Sequence, residues 1–163
     1  MKAMKRMAAV TALLTLLAQS GLAAAPTHGK EPLKIKSNEL HADNEKKTAT
    51  FEGSVVARQG DLTLYTDKLV ISYGESGKDL SKVEAFGHVR IVQGDREAVG
   101  AHAVYDNKGG RIVLDGSPRV MQGKNLITGK EITYYVDEQR SVVTGGRVEA
   151  TIYPGEKDAG AKP

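Results

Sequence analysis

The chain of 163 residues contains no cysteine and no tryptophan. Without cysteine there are no disulfide staples, no thiol chemistry and no lipidated N-terminal cysteine. Aromatic residues are sparse, with two Phe and six Tyr. The apolar material is therefore Val, Ile, Leu and Ala, which suits a thin layered β structure better than a thick globular core. Long hydrophobic runs are also missing. The longest, MAAVTALLTLLA at 7–18, falls well short of the roughly 20 apolar residues that span a bilayer.

That run has a different meaning. Lys2, Lys5 and Arg6 precede it and the small residues QSGLAAA (19–25) follow it, the order of a secretory signal peptide. Cleavage is expected near Ala23–Ala25, giving a signal peptide over 1–25. Removing it changes the charge argument. The whole chain has 23 basic and 20 acidic residues, and 1–25 holds three basic residues and no acid. The mature chain is thus balanced at 20 against 20, and the net basic stripe that tracks phosphates is absent. A nucleic-acid partner is excluded on that ground.

A short polar lead, PTHGKEP (26–32), is expected to be mobile, and PGEKDAGAKP (154–163) has the composition of a disordered tail. Between them, over 33–153, lies one domain of strand signal broken by turns such as RQGD, YGESGKD, DNKGG and MQGKN. Residues 48–73 read TATFEGSVVARQGDLTLYTDKLVISY. Apolar or small residues fall on alternate positions there, the mark of strands with one buried face and one wet face. No segment shows the 3.6-residue period of an amphipathic helix.

The body repeats. A glycine followed by a valine-like step recurs in FEGSV, AFGHV, DGSPRV and GGRVEA, with Gly53, Gly87, Gly116 and Gly146 spaced 34, 29 and 30 residues apart. Strands ending in Tyr precede three of these, at DKLVISY (67–73), GAHAVY (100–105) and GKEITYY (129–135). A period of about 30 means stacked supersecondary units that cannot bury their faces alone. Glycine inside a strand allows a bend or a close backbone approach. Once per unit, it would bend every hairpin at one level and fold the sheet over on itself.

The interior of such a bent sheet would be lined by Phe51, Val55 and Ala57; Val83, Ala85, Val89 and Ile91; and Ala101, Ala103 and Tyr105. Ile112, Leu114 and Val120, then Ile132 and Tyr134, and finally Val142, Val148 and Ile152 would continue it. Period two does not distinguish a closed core from an open groove, so both readings stand at this point.

Sharper chemical signals fail. GESGKD (74–79) resembles a phosphate loop only superficially, since Ser72 and Asp79 break both ends of that pattern. His28, His41, His88 and His102 lack the spacing of zinc ligands, and His88 and His102 fall on outward positions, where solvated surface histidines are expected. Ser54, Ser72 and Ser117 have no nucleophile elbow. Asp43, Asp61, Asp67 and Asp106 fall mostly at turns, where backbone geometry favours them. No enzyme, cofactor or metal is expected.

IKSNELHADNEKKTATFEGSVVARQGDLTLYTDKLVI (35–71) resembles the opening of the OstA-like periplasmic proteins of lipopolysaccharide transport. NLITGKEITYYVDEQR (125–140) resembles their penultimate strand pair. The likeness covers most of 32–153. With the signal peptide and single domain, it is similar to the periplasmic bridge member rather than to relatives with an anchoring helix or a large barrel.

The resemblance implies an all-β, elongated, bent and taco-like β-jellyroll of repeated antiparallel hairpins, open at both ends. It implies a periplasmic location and an apolar groove holding the lipid A acyl chains of lipopolysaccharide. Groove residues would be Phe51, Val55, Val83, Val89, Ile91, Ala103, Tyr105, Ile112, Leu114, Val120, Ile132, Tyr134 and Val148. Joining through sheet edges would use Leu33 and Ile35 at one end and Val142, Val148 and Ile152 at the other. The implied partners are further copies, head to tail, and the related OstA-like domains of the inner-membrane anchored and outer-membrane barrel proteins. The competing expectation is a structural or adhesive envelope β-repeat protein with a closed core and no lipid ligand.

Overall fold

The computed structural model describes residues 32–135, 138 and 140–154. The expected signal peptide, all but the last residue of the lead, and the tail beyond 154 lie outside them. Among the described residues there is no helix, and the strands form one twelve-stranded antiparallel sheet. In chain order they are β1 (Lys34–Lys36), β2 (Glu39–Asp43), β3 (Thr48–Gln59), β4 (Leu62–Tyr73), β5 (Leu80–Gln93) and β6 (Arg96–Asp106). There follow β7 (Arg111–Asp115), β8 (Arg119–Gln122), β9 (Asn125–Thr128), β10 (Glu131–Tyr135), β11 (Arg140–Thr144) and β12 (Glu149–Thr151).

The pairing shows that this sheet is folded in two. One arm runs β1, the C-terminal half of β3, the N-terminal half of β4, the C-terminal half of β5, the N-terminal half of β6, then β8, β9 and β12. The other runs β2, the remaining halves of β3 to β6, then β7, β10 and β11. Each long strand crosses from arm to arm, and the short strands are halves of strands interrupted at the same level. The sheet does not close, so β1 and β12 edge one arm while β2 and β11 edge the other. This is the bend expected from the repeats, with the open antiparallel sheet that the family resemblance implies.

The bend has a local cause. At this level alternate strands carry two successive residues with positive φ: Gly53-Ser54, Gly87-His88, Gly116-Ser117 and Gly145-Gly146. The intervening strands carry none and present Asn38, Asp67, Ala101 and Lys130 to those glycines. A Cβ on Gly116 would collide with the Ala101 side chain, and one on Gly87 with the Asp67 carboxylate. Backbone N–H groups reach across. Asn38 donates to the Glu52 and Gly53 carbonyls at 3.1 and 3.0 Å, Ala101 to Gly116 at 3.2 Å, and Lys130 to Thr144 and Gly145 at 3.1 and 3.2 Å. Left-handed geometry and close approach both favour glycine. In the last repeat the clashing glycine is Gly145, with Gly146 in open space behind it, so the fourth member of the series is one residue earlier than the sequence period suggests.

β4 bends without glycine. Thr66 is buried there, and its hydroxyl donates to the Phe86 carbonyl at 2.8 Å, with the Gly87 carbonyl at 3.1 Å. The side chain thus satisfies acceptors that the neighbouring bulge takes out of the ladder. Asp67, expected at a turn, sits beside it in the bend.

Three variants test this account by urea denaturation. Gly146→Ala faces open space and should cost only the left-handed strain of about 1–2 kcal/mol. Gly116→Ala adds a steric clash and should cost clearly more, about 2–4 kcal/mol with overpacking included. Thr66→Val keeps the shape but orphans the carbonyls, and should cost about 1–3 kcal/mol.

Candidate apolar groove

Inward-facing side chains line up in cross-strand rows. In the arm edged by β2, one row runs Leu40, Phe51, Leu69, Ala85, Ala103, Leu114, Ile132 and Val143. The next runs Ala42, Ala49, Ile71, Val83, Tyr105, Ile112, Tyr134 and Ser141. In the arm edged by β1 the row is Ile35, Ala57, Leu64, Ile91, Ala98, Val120, Ile127 and Ala150. Val55, Thr66, Val89 and Gly100 lie between that row and the bend. Directly opposed aliphatic pairs of this kind stabilise a sheet and pin its register.

Twelve of the expected groove residues fall on these inner positions: Phe51, Val55, Val83, Val89, Ile91, Ala103, Tyr105, Ile112, Leu114, Val120, Ile132 and Tyr134. Val148 does not. It lies in the bend segment between β11 and β12 and is exposed. Ala101, also expected inside, is exposed at the bend, and Val142 pairs with Thr133 on the outer face while Val143 packs on the core. Extrapolating period two past the bend causes these errors. The first three glycine pairs preserve the phase of their strands, whereas each plain bend, and the segment of Gly145-Gly146 between Val143 and Ala150, slips it by one residue. Ala98 and Ala103 are both inside although five residues apart. Leu62, Leu64, Leu69 and Ile71, on the alternating apolar positions of β4, belong to the interior, as do Ala98 and Val143, which the slipped phase hides in the sequence.

The interior is not an empty trough. Buried side chains of both arms form one contiguous core, with Val55 and Leu69 each 1% exposed and Leu114 and Tyr134 at 0%. Tyr105 belongs to this core by its ring, while its hydroxyl donates to Asn107 Oδ1 at 2.8 Å. Apolar exposure concentrates at the two ends. Leu33 and Leu40 (57% exposed) stand at the N-terminal edge, with Val148, Ile152 (58%) and Tyr153 at the C-terminal edge. Ile35 lies on β1 and packs against the core, while Leu33 precedes that strand.

The outer face intersperses charged pairs with apolar side chains such as Phe86, Val92 and Val142. Arg90 donates two hydrogen bonds to Glu97 at 2.8 and 3.0 Å, which holds that carboxyl below its ordinary range. The hydrogen bond from Lys68 at 2.7 Å does the same for Glu52. His88 is exposed beside Asp67 at 2.7 Å. His102 departs from the expected solvated histidine. It is half-buried, its Nδ1 lies 3.0 Å from Asp115, its ring lies 4.8 Å from that of Phe86, and its Nε2 is buried without a partner among the described residues. Glu39, His41 and Glu52 bring three donor atoms within 4.8 Å of one another, a cluster hidden in the sequence because β3 supplies its third member. An open cleft of about 650 Å³ at the bend is lined by residues including Asp115, Ser117, Lys130 and Glu131, apart from the inner rows.

Comparison with known proteins agrees with this geometry. The family model described as LptA/(LptD N-terminal domain) LPS transport protein matches residues 34–140. The chain is 30% identical over 137 residues to the lipopolysaccharide export system protein LptA of Escherichia coli K12, covering 77% of this chain and 73% of that one. It is 30% identical over 152 residues to LptA of Haemophilus influenzae, covering 86% and 88%. It shares its fold with the crystal structure of LptH, described as the LptA homologous periplasmic component of the lipopolysaccharide transport device of Pseudomonas aeruginosa. That match has a TM-score of 0.67 at 20% identity and covers 76% of this chain and 96% of that one. A sheet bent along repeated glycines, edged openly at both ends and matched over most of its strands, makes this chain a member of the LptA/(LptD N-terminal domain) family of LPS transport proteins.

Proposed function

We propose that this protein is the periplasmic bridge of lipopolysaccharide export, delivered by a cleavable signal peptide. It binds the acyl chains of lipid A between its arms and performs no catalysis. Its edges join further copies and the related domains of the inner-membrane and outer-membrane transport proteins. One observation carries this reading: inner apolar rows reach both open edges, where exposed Leu40 begins one row in the arm edged by β2 and exposed Ala150 ends the row of the other arm, two residues before exposed Ile152.

The physical task is to move hydrocarbon through water. Exposed acyl chains cost about 25 cal/mol per Å², and an aliphatic lining removes most of that cost without chemistry. Since the interior is packed, the arms part to admit lipid, and acyl contacts replace side-chain contacts of similar kind. A packed interior by itself also suits a structural envelope protein; the family and the apolar ends favour transport.

The test is direct. Mature protein purified from lipopolysaccharide-producing cells should carry lipid A detectable by mass spectrometry. A photo-crosslinking residue at position 91, on an inner row, should label lipopolysaccharide, whereas one at neighbouring position 92, on the outer face, should not. No lipid, or equal labelling at the two positions, would overturn the proposal.

A further inference from the structure

We infer that Arg96 is the docking point for a phosphate on the lipid's sugar head, so that the head group rests at one lip of the groove. This rests on the acyl-chain reading above and adds to it a polar subsite on the arm edged by β1.

The site lies in the row nearest the tips of that arm. Its hairpins close through two-residue turns at 60–61, 94–95 and 123–124. The last inward row before those turns runs Gln59, Leu62, Gln93, Arg96, Gln122 and Asn125. Each member except Leu62 and Gln59 stands two residues along its strand from Ile91, Ala98, Val120 or Ile127, and so shares their inner face. Leu62 is 4% exposed and belongs to the core. Hydrocarbon lining therefore gives way to side-chain amides at this row, which contains one cation and no carboxylate.

Arg96 is half-buried, and its guanidinium has neither a hydrogen bond nor an ion pair among the described residues. The carboxylates around it are engaged elsewhere or turned away. Glu97 belongs to the outer face, where it accepts two hydrogen bonds from Arg90. Asp61 accepts from the Gln93 amide at 3.2 Å, and Asp95 is exposed in the turn without an ion pair to Arg96. At the tip of the other arm the polar groups satisfy one another. Asn107 accepts from the Tyr105 hydroxyl at 2.8 Å and donates to the Leu80 carbonyl at 2.7 Å.

A guanidinium keeps its charge throughout the neutral range, and partial burial strengthens its attraction for an anion relative to bulk water. Its planar fork meets two oxygens of one phosphate at once. A phosphate carried on an acylated sugar suits both sides of this lip. Its acyl chains reach the apolar rows, while Gln122, directly across from Arg96, offers an amide to the sugar hydroxyls. A free phosphate gains nothing from the rows beneath. Arg96 stands near the middle of its arm, so this attachment favours neither edge.

Two lipids that differ only in phosphate test the subsite: diphosphorylated lipid A and the same lipid with its phosphates removed. Each is titrated against labelling by a photo-crosslinker at position 91 of the mature chain. Wild type should favour the phosphorylated lipid by about tenfold. Arg96→Gln should need about tenfold more phosphorylated lipid for half-labelling, while its response to the other lipid stays within about twofold. Arg96→Lys, with the charge but not the fork, should keep about a threefold preference. Arg58→Gln, on an exposed outer row, should change neither titration. Millimolar inorganic phosphate should leave the wild-type preference in place. A wild type without preference, an Arg96→Gln chain that weakens both lipids alike or neither, or a preference abolished by inorganic phosphate overturns the subsite. In each of those failures, continued labelling by the dephosphorylated lipid leaves the bridge reading standing. No labelling by either lipid overturns that reading and the subsite with it.

Discussion

Everything in this molecule depends on how closely two backbones approach along one line. Where Gly116 faces Ala101 and Gly87 faces Asp67, no Cβ fits, and the strands turn there because glycine alone combines that proximity with positive φ. Since the approach recurs in alternate strands at one level, the bends add instead of cancelling, and a flat meander becomes two facing arms. The single core, the two open edges and the level rows all follow from it.

A sheet bent but not closed leaves apolar rows that reach the edges, and edges are ordinarily an aggregation liability. In the bridge proposed above, the same feature would serve as a joint by strand addition. The packed interior adds a second property to the proposed role. Lipid entering between the arms exchanges apolar contacts for apolar contacts, so the net free energy of occupancy is small compared with the gross burial on either side. Weak, similar binding at each position is what lets a chain of sites pass cargo along. Direction must come from elsewhere, since nothing in a groove lined alike along its length biases it.

The outer face contributes specificity more than stability. Exposed pairs such as Lys68 with Glu52 or Arg90 with Glu97 contribute little energy to a folded sheet. They sit directly across strands or on neighbouring rows, however, and opposite charges there disfavour registers that would set like charges opposite one another. Thr66 plays the corresponding part inside. A lone hydroxyl closes the carbonyls that the bend in β5 leaves over, at the one long strand that turns without a glycine.

Much of this was legible in the residues. Alternation marked β3 and β5 and placed Phe51, Val55, Val89 and Ile91 inside, because period two is a local property of a pleated strand. The glycine recurrence announced the bend, since a residue that weakens strands is otherwise poorly placed in their middles. What alternation does not carry is phase across a bend that slips it, whether the plain bend at Ala101 or the Gly145-Gly146 segment, so it points Ala101 and Val142 inward while Ala98 and Val143 occupy the interior. The inserted residue that shifts the phase leaves no compositional trace; only the hydrogen-bonded partner across the sheet reveals it. The same holds for the filled interior and for His102, half-buried beside Phe86. Local chemistry determined that these strands are one-sided and bent; long-range pairing alone decided which side chains meet, because contact across a folded sheet joins residues far apart in the chain.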